Sequence, residues 1–387
     1  MSATNDKQKF RGFYVTDAKN WSTFKEQEAP ELKPFGEYDI DIKSECCGVC
    51  SSDVHTISSG WGAAPLPVCA GHEVVGRVER VGSKVTEFKV GDRAGVGAQV
   101  WSCGVCTACT SARGDENYCP HKVDTYGAPY PTESEAADFG VKNGKALGLD
   151  GSKAQGGYSN RIRAHEQFVF PIPAGLDSAE AAPLMCAGLT VFSPLVRAGA
   201  GKENCKKVAI AGVGGLGHYA VQFAKAMGAE VTVFTHSASK KDDIEKMGAD
   251  KVVVTANEGW EKEHAMKFDF MLSTIDAAKG VLLQQFCSCL RIGGEFHSVG
   301  LPDDPLDDIK AQLFAANACK LTGSHIGSKK EMLQMLKLVE EKKIKSWIMK
   351  LPISAEACKE AVERVYNNDN VRYRLVLTDF EKAFGKE

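Results

Sequence analysis

No run of about 20 apolar residues occurs in this 387-residue chain, so no helix able to cross a bilayer is expected. Lysine and arginine form no block, and the formal net charge is −3, which argues against a nucleic-acid partner. The opening MSATNDKQKF lacks the apolar centre of a secretory leader, and the closing AFGKE carries no retention or peroxisomal address. A cytoplasmic chain with no membrane partner is therefore expected. Internal repeats and low-complexity linkers are absent as well.

Cysteine, by contrast, is plentiful, with fourteen in the chain. In a reducing compartment that number argues for thiols and metal thiolates rather than disulfides. Cys103, Cys106, Cys109 and Cys119 follow the pattern C-x2-C-x2-C-x9-C. Tight C-x2-C turns can present thiolates to one tetrahedral ion, and four sulfurs close its shell, so such a site is structural. A redox C-x-x-C is the rival reading, although three evenly spaced cysteines plus a fourth fit it poorly.

A second set is spread more widely. Cys50 stands in CCGVCSSDVHT, His72 and Glu73 in VCAGHEVVGRVERVG, and Cys186 in APLMCAGLT. Taken singly, each has an ordinary alternative: a satisfied histidine, or a cysteine acting as a small apolar residue. One histidine and two cysteines together make a three-ligand zinc set with a fourth position left for water or substrate. Asp53 is a candidate acceptor for the ring N–H of His72, which would fix its tautomer. A turn residue is the alternative reading of Asp53.

The stretch KKVAIAGVGGLGHYAVQFAKAMGAEVTVFTHSASKK reads as strand, glycine turn, helix and strand. Gly212, Gly214 and Gly217 make G-x-G-x-x-G, and with Gly215 and Leu216 they form a turn that lets backbone approach a pyrophosphate at a helix N-terminus. An NAD binder places an acid at the end of the second strand. None stands there: the strand runs into Thr235, His236, Ser237 and Lys240, which suit a 2′-phosphate. NADP(H) is the cofactor expected.

Along nearly its whole length the chain resembles the zinc-dependent medium-chain alcohol dehydrogenases, and within them the cinnamyl-alcohol-dehydrogenase-like branch. The motifs that carry the resemblance are GVCSSDVH, GHEVVGRVERVG, KVGDRAGVG, the cysteine cluster, PLMCAGLTVFSPL, AGVGGLGHYAVQFAKAMGAEV and VRYRLVL. The family's usual last spacer in the cysteine cluster is x7; here it is x9, an insertion the loop is expected to absorb. The resemblance implies two zinc ions per chain, one catalytic and one structural, and a homodimer. It implies that Ser52 hydrogen-bonds the reacting oxygen, that His55 passes its proton on, and that Glu73 can approach the catalytic metal. It carries cofactor contacts onto Ser51, His55, Thr190, Thr274, Val299, Leu301, Ser324, Ile326 and Arg372, and substrate-channel positions onto Trp61 and Trp101.

The fold expected is α/β: a doubly wound parallel sheet (Rossmann) over 187–326, with a β-rich GroES-like catalytic domain over 1–186 and 327–387. Six apolar runs, KVAIAGV, EVTVFTH, KVVVT, FDFMLSTI, GEFHSVG and KLTGSHI, supply the parallel sheet. The segment DTYGAPYPTESEAADFGVKNGKALGLDGSKAQGG reads as a surface loop with little regular structure. The activity expected is NADP(H)-dependent reduction of medium aliphatic and aromatic aldehydes, with oxidation of primary alcohols in reverse. A polyol or glycerol dehydrogenase, or a non-catalytic NADPH-binding protein, is the alternative.

Overall fold

The computed structural model describes residues 9–277, 282–306 and 309–385. Most of MSATNDKQKF and the last two residues of AFGKE fall outside them. The chain divides into two compact units: Met1–Cys186 with Ser328–Lys330 and Ile348–Glu387, and Ala187–Gly327 with Glu331–Trp347. The amphipathic helix of the tail, Lys329–Lys342, was expected with the first domain; all but its first two residues lie in the second unit.

The first unit is built on a seven-stranded sheet. Its strands include β1 (Asp39–Val49), β2 (Val74–Val81), β3 (Arg93–Val96), β4 (Arg161–His165) and β5 (Val169–Pro171). Two strands from the end of the chain, Ile348–Pro352 and Arg374–Thr378, complete it. The order runs Ile348–Pro352, Arg374–Thr378, β1, β2, β3, β5, with β4 pairing the first half of β1. β1 is antiparallel to β2, and Cys47 faces Val74. The end of β1 therefore meets the start of β2, which brings Cys50 and His72-Glu73 to one end of the sheet. The terminal strand lies on β1's other side, with Leu375 opposite Val49. Ile40, Ile42, Val74, Ala94, Val96, Ile162, Leu375 and Leu377 fill the core beneath.

The segment from 124 to 157 differs from the surface loop expected. It contains a short helix, Glu133–Asp138, capped reciprocally by Thr132 and Glu135. It also sends Tyr130, Ala136, Val141, Leu149 and Ala154 into the first unit's core. These apolar residues have no strand or helix period, so periodicity does not reveal them.

The second unit holds six parallel strands: β6 (Lys207–Ala211), β7 (Glu230–Thr235), β8 (Lys251–Val254), β9 (Phe268–Ser273), β10 (Leu290–Ser298) and β11 (Lys320–Gly323). Their order is β8-β7-β6-β9-β10-β11, so the sheet reverses direction of growth between β6 and β9. That is the doubly wound arrangement, and its ligand crevice opens beyond the carboxyl ends of the strands at the reversal. The central strands are buried on both faces, which explains their near-continuous apolar runs. No single helix among the described residues is long and apolar enough to cross a membrane.

Candidate active site

Cys50, His72, Glu73 and Cys186 are all buried, and their ligand atoms lie within 4.8 Å of one another. Cys50 leaves β1 and forms the N-cap of the helix Ser51–Ile57; His72 and Glu73 enter β2. His72 Nε2 is 3.1 Å from Cys186 Sγ, and its Nδ1 is 2.9 Å from Asp53 Oδ1. An ionised carboxylate only accepts, so Nδ1 carries a proton and Nε2 is the ring atom turned toward the thiols. Asp53 also accepts from the N–H of Cys50 at 2.9 Å, the N–H of Gly71 at 3.1 Å and the hydroxyl of Tyr158 at 3.1 Å. It thus serves as both helix cap and histidine anchor.

Glu73 sits against Arg374 from the terminal strand, whose Nε is 3.3 Å from Oε2; both residues are buried. Burial lifts the Glu73 carboxyl to about 7, opposed by the Arg374 charge. Gly48 makes room for that carboxylate: a Cβ there would stand 1.9 Å from Glu73 Oε2. The hydrogen bond from Cys186 holds the Cys50 thiol well below its usual range, helped by Arg374 and His72. One thiolate is therefore favoured before any metal arrives. Against its burial, Asp53 and Cys50 hold the His72 imidazole well above its usual range, so its Nε2 is freed for a metal by loss of a proton. This donor set of two sulfurs and one nitrogen suits zinc, with a fourth place for Glu73, water or substrate.

The second cluster also converges. Cys119 Sγ is 3.5 Å from Cys103 Sγ, which is 4.0 Å from Cys109 Sγ, and all four sulfurs fall within 4.8 Å of one another. Zinc–sulfur bonds of about 2.3 Å imply a tetrahedral edge near 3.8 Å, which these distances bracket. The longer last spacer is taken up by a positive-φ turn at Gly114 and the short 3-10 turn Glu116–Tyr118. All fourteen cysteines are free thiols.

Ser51, Ser52 and His55 lie on the helix that starts after Cys50, and Ser52 Oγ is 3.6 Å from Cys50 Sγ. The ring of His55 stacks on Trp61 at 4.7 Å with 12° between the planes. Trp61 is 45% exposed. Trp101, expected to line a substrate channel, is only 2% exposed and belongs to the core. It lies on a three-residue strand whose every residue is buried.

In the second unit, Gly212, Gly214, Gly215, Leu216 and Gly217 form the turn between β6 and the helix Gly217–Ala226. A Cβ added at Gly214 would meet no protein atom within 4 Å, whereas one at Gly217 would lie 2.2 Å from Gly212 O. The first position leaves space for a ligand; the second is needed for packing. Thr274 Oγ1 donates to Gly212 O at 3.0 Å, and Lys240 Nζ reaches back to Val213 O at 3.1 Å. Thr235 ends β7, and His236 and Ser237 follow it, both exposed. Val299 and Leu301 follow β10, and Ser324 and Ile326 follow β11. Thr190 is buried on the helix Ala187–Ala198. Ser51, His55 and Arg372 belong to the first unit, and the other expected cofactor residues to the second. Sequence reasoning missed Arg374 and Tyr158, because nothing in VRYRLVL or GGYS marks the strand partner each one reaches.

The chain matches the alcohol dehydrogenase GroES-like domain over residues 36–174 and the zinc-binding dehydrogenase domain over 215–341. It is 39% identical to NADP-dependent alcohol dehydrogenase 6 of Saccharomyces cerevisiae, across 98% of this chain and 99% of that one. Cinnamyl alcohol dehydrogenase 2 of Arabidopsis thaliana is also 39% identical, across 90% and 89%. Among solved structures, a cinnamyl alcohol dehydrogenase from Sorghum bicolor superposes with a TM-score of 0.85 at 33% identity, covering 98% and 100%. The cinnamyl alcohol dehydrogenase of Helicobacter pylori complexed with NADP(H) gives 0.82 at 30%, covering 97% and 99%. With its ligand set converging at one end of the first sheet and a glycine turn opening the second, the chain belongs to the zinc-binding, medium-chain alcohol dehydrogenases.

Proposed function

We propose that the chain reduces medium aliphatic and aromatic aldehydes of the cinnamyl type with NADPH, and oxidises the matching primary alcohols in reverse. The observation that carries this reading is the buried Cys50–His72–Cys186 set, complete and oriented by Asp53, in a chain whose glycine turn is overhung by Lys240. The yeast relative's name and the bound cofactor of the Helicobacter pylori structure support NADP(H). When bound, zinc supplies a Lewis acid that polarises the carbonyl, and the dihydronicotinamide supplies the hydride. Cys50, His72 and Cys186 hold the metal, and Glu73 stands ready as a fourth donor. The Ser52 hydroxyl gives its proton to the product oxygen, and His55 restores it from water. Reduction thus consumes one aldehyde, one NADPH and one proton. Thr235, His236, Ser237 and Lys240 would receive the 2′-phosphate, and Trp61 offers an aromatic wall beside His55.

Two zincs per chain, a homodimer and a cytoplasmic location complete the proposal. Two converging donor clusters support the first. The open edge of β11 and exposed Leu301, Leu306 and Ile309 in the segment before it support the second. Fourteen unpaired thiols support the third. A panel of aldehydes, alcohols and polyols with NADPH and NADH tests the activity. Aryl and medium aliphatic aldehydes should turn over with NADPH; a preference for polyols would replace the substrate class, and no turnover by zinc-loaded protein would overturn the reading. His55→Ala should keep both zincs and slow alcohol oxidation most at lower pH. Loss of zinc, or an unchanged pH profile, would remove His55 from the proton path.

A further inference from the structure

A polar network joins the last two strands of the parallel sheet. β10 and β11 are parallel, with Glu295 opposite Lys320 and His297 opposite Thr322. Strand alternation puts Glu295 and His297 on one face, and Thr322 and Ser324 beside them on the next strand. Thr322 Oγ1 donates to Glu295 Oε1 at 2.6 Å. His297 Nδ1 lies 2.8 Å from Thr322 Oγ1 and 3.2 Å from Glu295 Oε1, and Nε2 lies 2.8 Å from Ser324 Oγ.

These contacts determine where each proton points. The hydrogen bond from His297, with that from Thr322, holds the Glu295 carboxyl below its usual range, so it accepts only. Thr322 has given its one proton to Glu295, so its oxygen accepts from His297 Nδ1–H. In the neutral ring Nε2 then has no proton and accepts from Ser324. With its O–H committed to His297, Ser324 offers only lone pairs to any further partner.

Ser324 stands just past the carboxyl end of β11, where ligands of doubly wound sheets bind. The glycine turn follows β6, and the residues suited to a 2′-phosphate follow β7, on one side of the reversal. The other end of a dinucleotide then extends toward β9, β10 and β11. The group there with N–H to give is the nicotinamide carboxamide.

We propose that His297 is a positioning residue: it turns the Ser324 hydroxyl into an acceptor for the carboxamide N–H of the nicotinamide. This rests on the NADP(H) reading above and assigns His297, Glu295 and Thr322 a part in it.

The test measures affinities by fluorescence titration for the wild-type, His297→Phe, His297→Gln and Ser324→Ala proteins. Its probes are NADPH, adenosine 2′,5′-bisphosphate, and NADP+ beside its 3-acetylpyridine analogue, which has a methyl in place of the amide nitrogen. His297→Phe should weaken NADPH about 3–10-fold, the worth of one neutral hydrogen bond. It should leave the bisphosphate, which has no nicotinamide, unchanged, and narrow the preference for carboxamide over acetylpyridine. His297→Gln, whose side-chain oxygen can accept from Ser324, should recover most of the loss. Ser324→Ala should match His297→Phe, and the double variant should lose nothing more. Wild-type NADPH affinity in both single variants, or equal losses for NADPH and the bisphosphate, overturns the proposal and leaves the NADP(H) reading standing. Failure of the wild-type protein to bind either NADPH or the bisphosphate removes both.

Discussion

Gly214 and Gly217 are three residues apart in one turn, yet their alanine variants should fail in opposite ways. At Gly214 an added Cβ meets no protein atom within 4 Å, and its φ lies outside the left-handed region. The folded chain should therefore accept alanine there without loss, or gain a few tenths of a kcal/mol from a stiffer unfolded state. A pyrophosphate on the turn would meet the new methyl and be pushed off the backbone N–H groups. One charge-assisted hydrogen bond to phosphate is worth about 1.5–3 kcal/mol, so NADPH affinity should fall at least tenfold. At Gly217 the Cβ would lie 2.2 Å from Gly212 O, a backbone atom that cannot rotate away. The turn must shift, at a cost of about 1–3 kcal/mol to the fold itself. Urea unfolding and fluorescence titration with NADPH, run on both variants, separate the two effects. Full NADPH affinity in Gly214→Ala would refute the placement of the pyrophosphate on this turn. A destabilised Gly214→Ala would refute the claim of open space.

Cys106→Ser should lower the zinc content from two ions to one per chain and cost folding stability, because the four-sulfur cluster closes on itself; metal analysis with thermal unfolding reads both, and an unchanged zinc content removes Cys106 from the cluster. Lys240→Glu should weaken NADPH by roughly 10- to 150-fold and NADH far less, whereas equal losses would take Lys240 away from the 2′-phosphate. Burial pushes His165 down to about 4, and its Nδ1 accepts from the Gln167 N–H. A folded value below the unfolded one means stability that is complete above about pH 6.5 and lost as pH falls toward 4. Water reaches part of the residue, so the loss should amount to about 1–3 kcal/mol. His165→Asn keeps an acceptor and removes the titration, so its urea stability should change less between pH 7 and pH 4.5 than the wild type's; an equal change refutes the assignment.

How far the sequence reveals this molecule depends on how local each constraint is. The four-cysteine cluster and the glycine turn are legible because their chemistry requires short, repeated spacings. The six parallel strands are legible because burial on both faces writes apolar runs. Arg374 is not, since it meets Glu73 from 301 positions away and only the register of the terminal strand joins them. The 124–157 segment escapes because its buried residues follow no period, although the Thr132–Glu135 cap is written in PTESE. Trp61 and Trp101 look alike in sequence; one stacks on His55 and the other sits in the core. His297 escapes because its partners lie on a parallel neighbour, 25 and 27 positions on.

The buried pair of Glu73 and Arg374 bears on the order of events at the ribosome. The thiols of the four-cysteine loop span 16 positions, so that clasp can close around its ion soon after the loop emerges. The other metal set needs His72 and Cys186 to meet across 114 positions. Even then Glu73 waits for an arginine translated 301 positions after it. Until it arrives, the nascent chain carries the Glu73 carboxyl beside two thiols without the guanidinium that offsets it, and the last residues of β1 have one edge unpaired. A metal held by the four-cysteine loop can enter during synthesis, whereas the Cys50–His72–Glu73–Cys186 set is balanced in charge only once Arg374 has been made. A polypeptide cut short before residue 374 would keep every ligand and still lack the charge that allows them to be buried together.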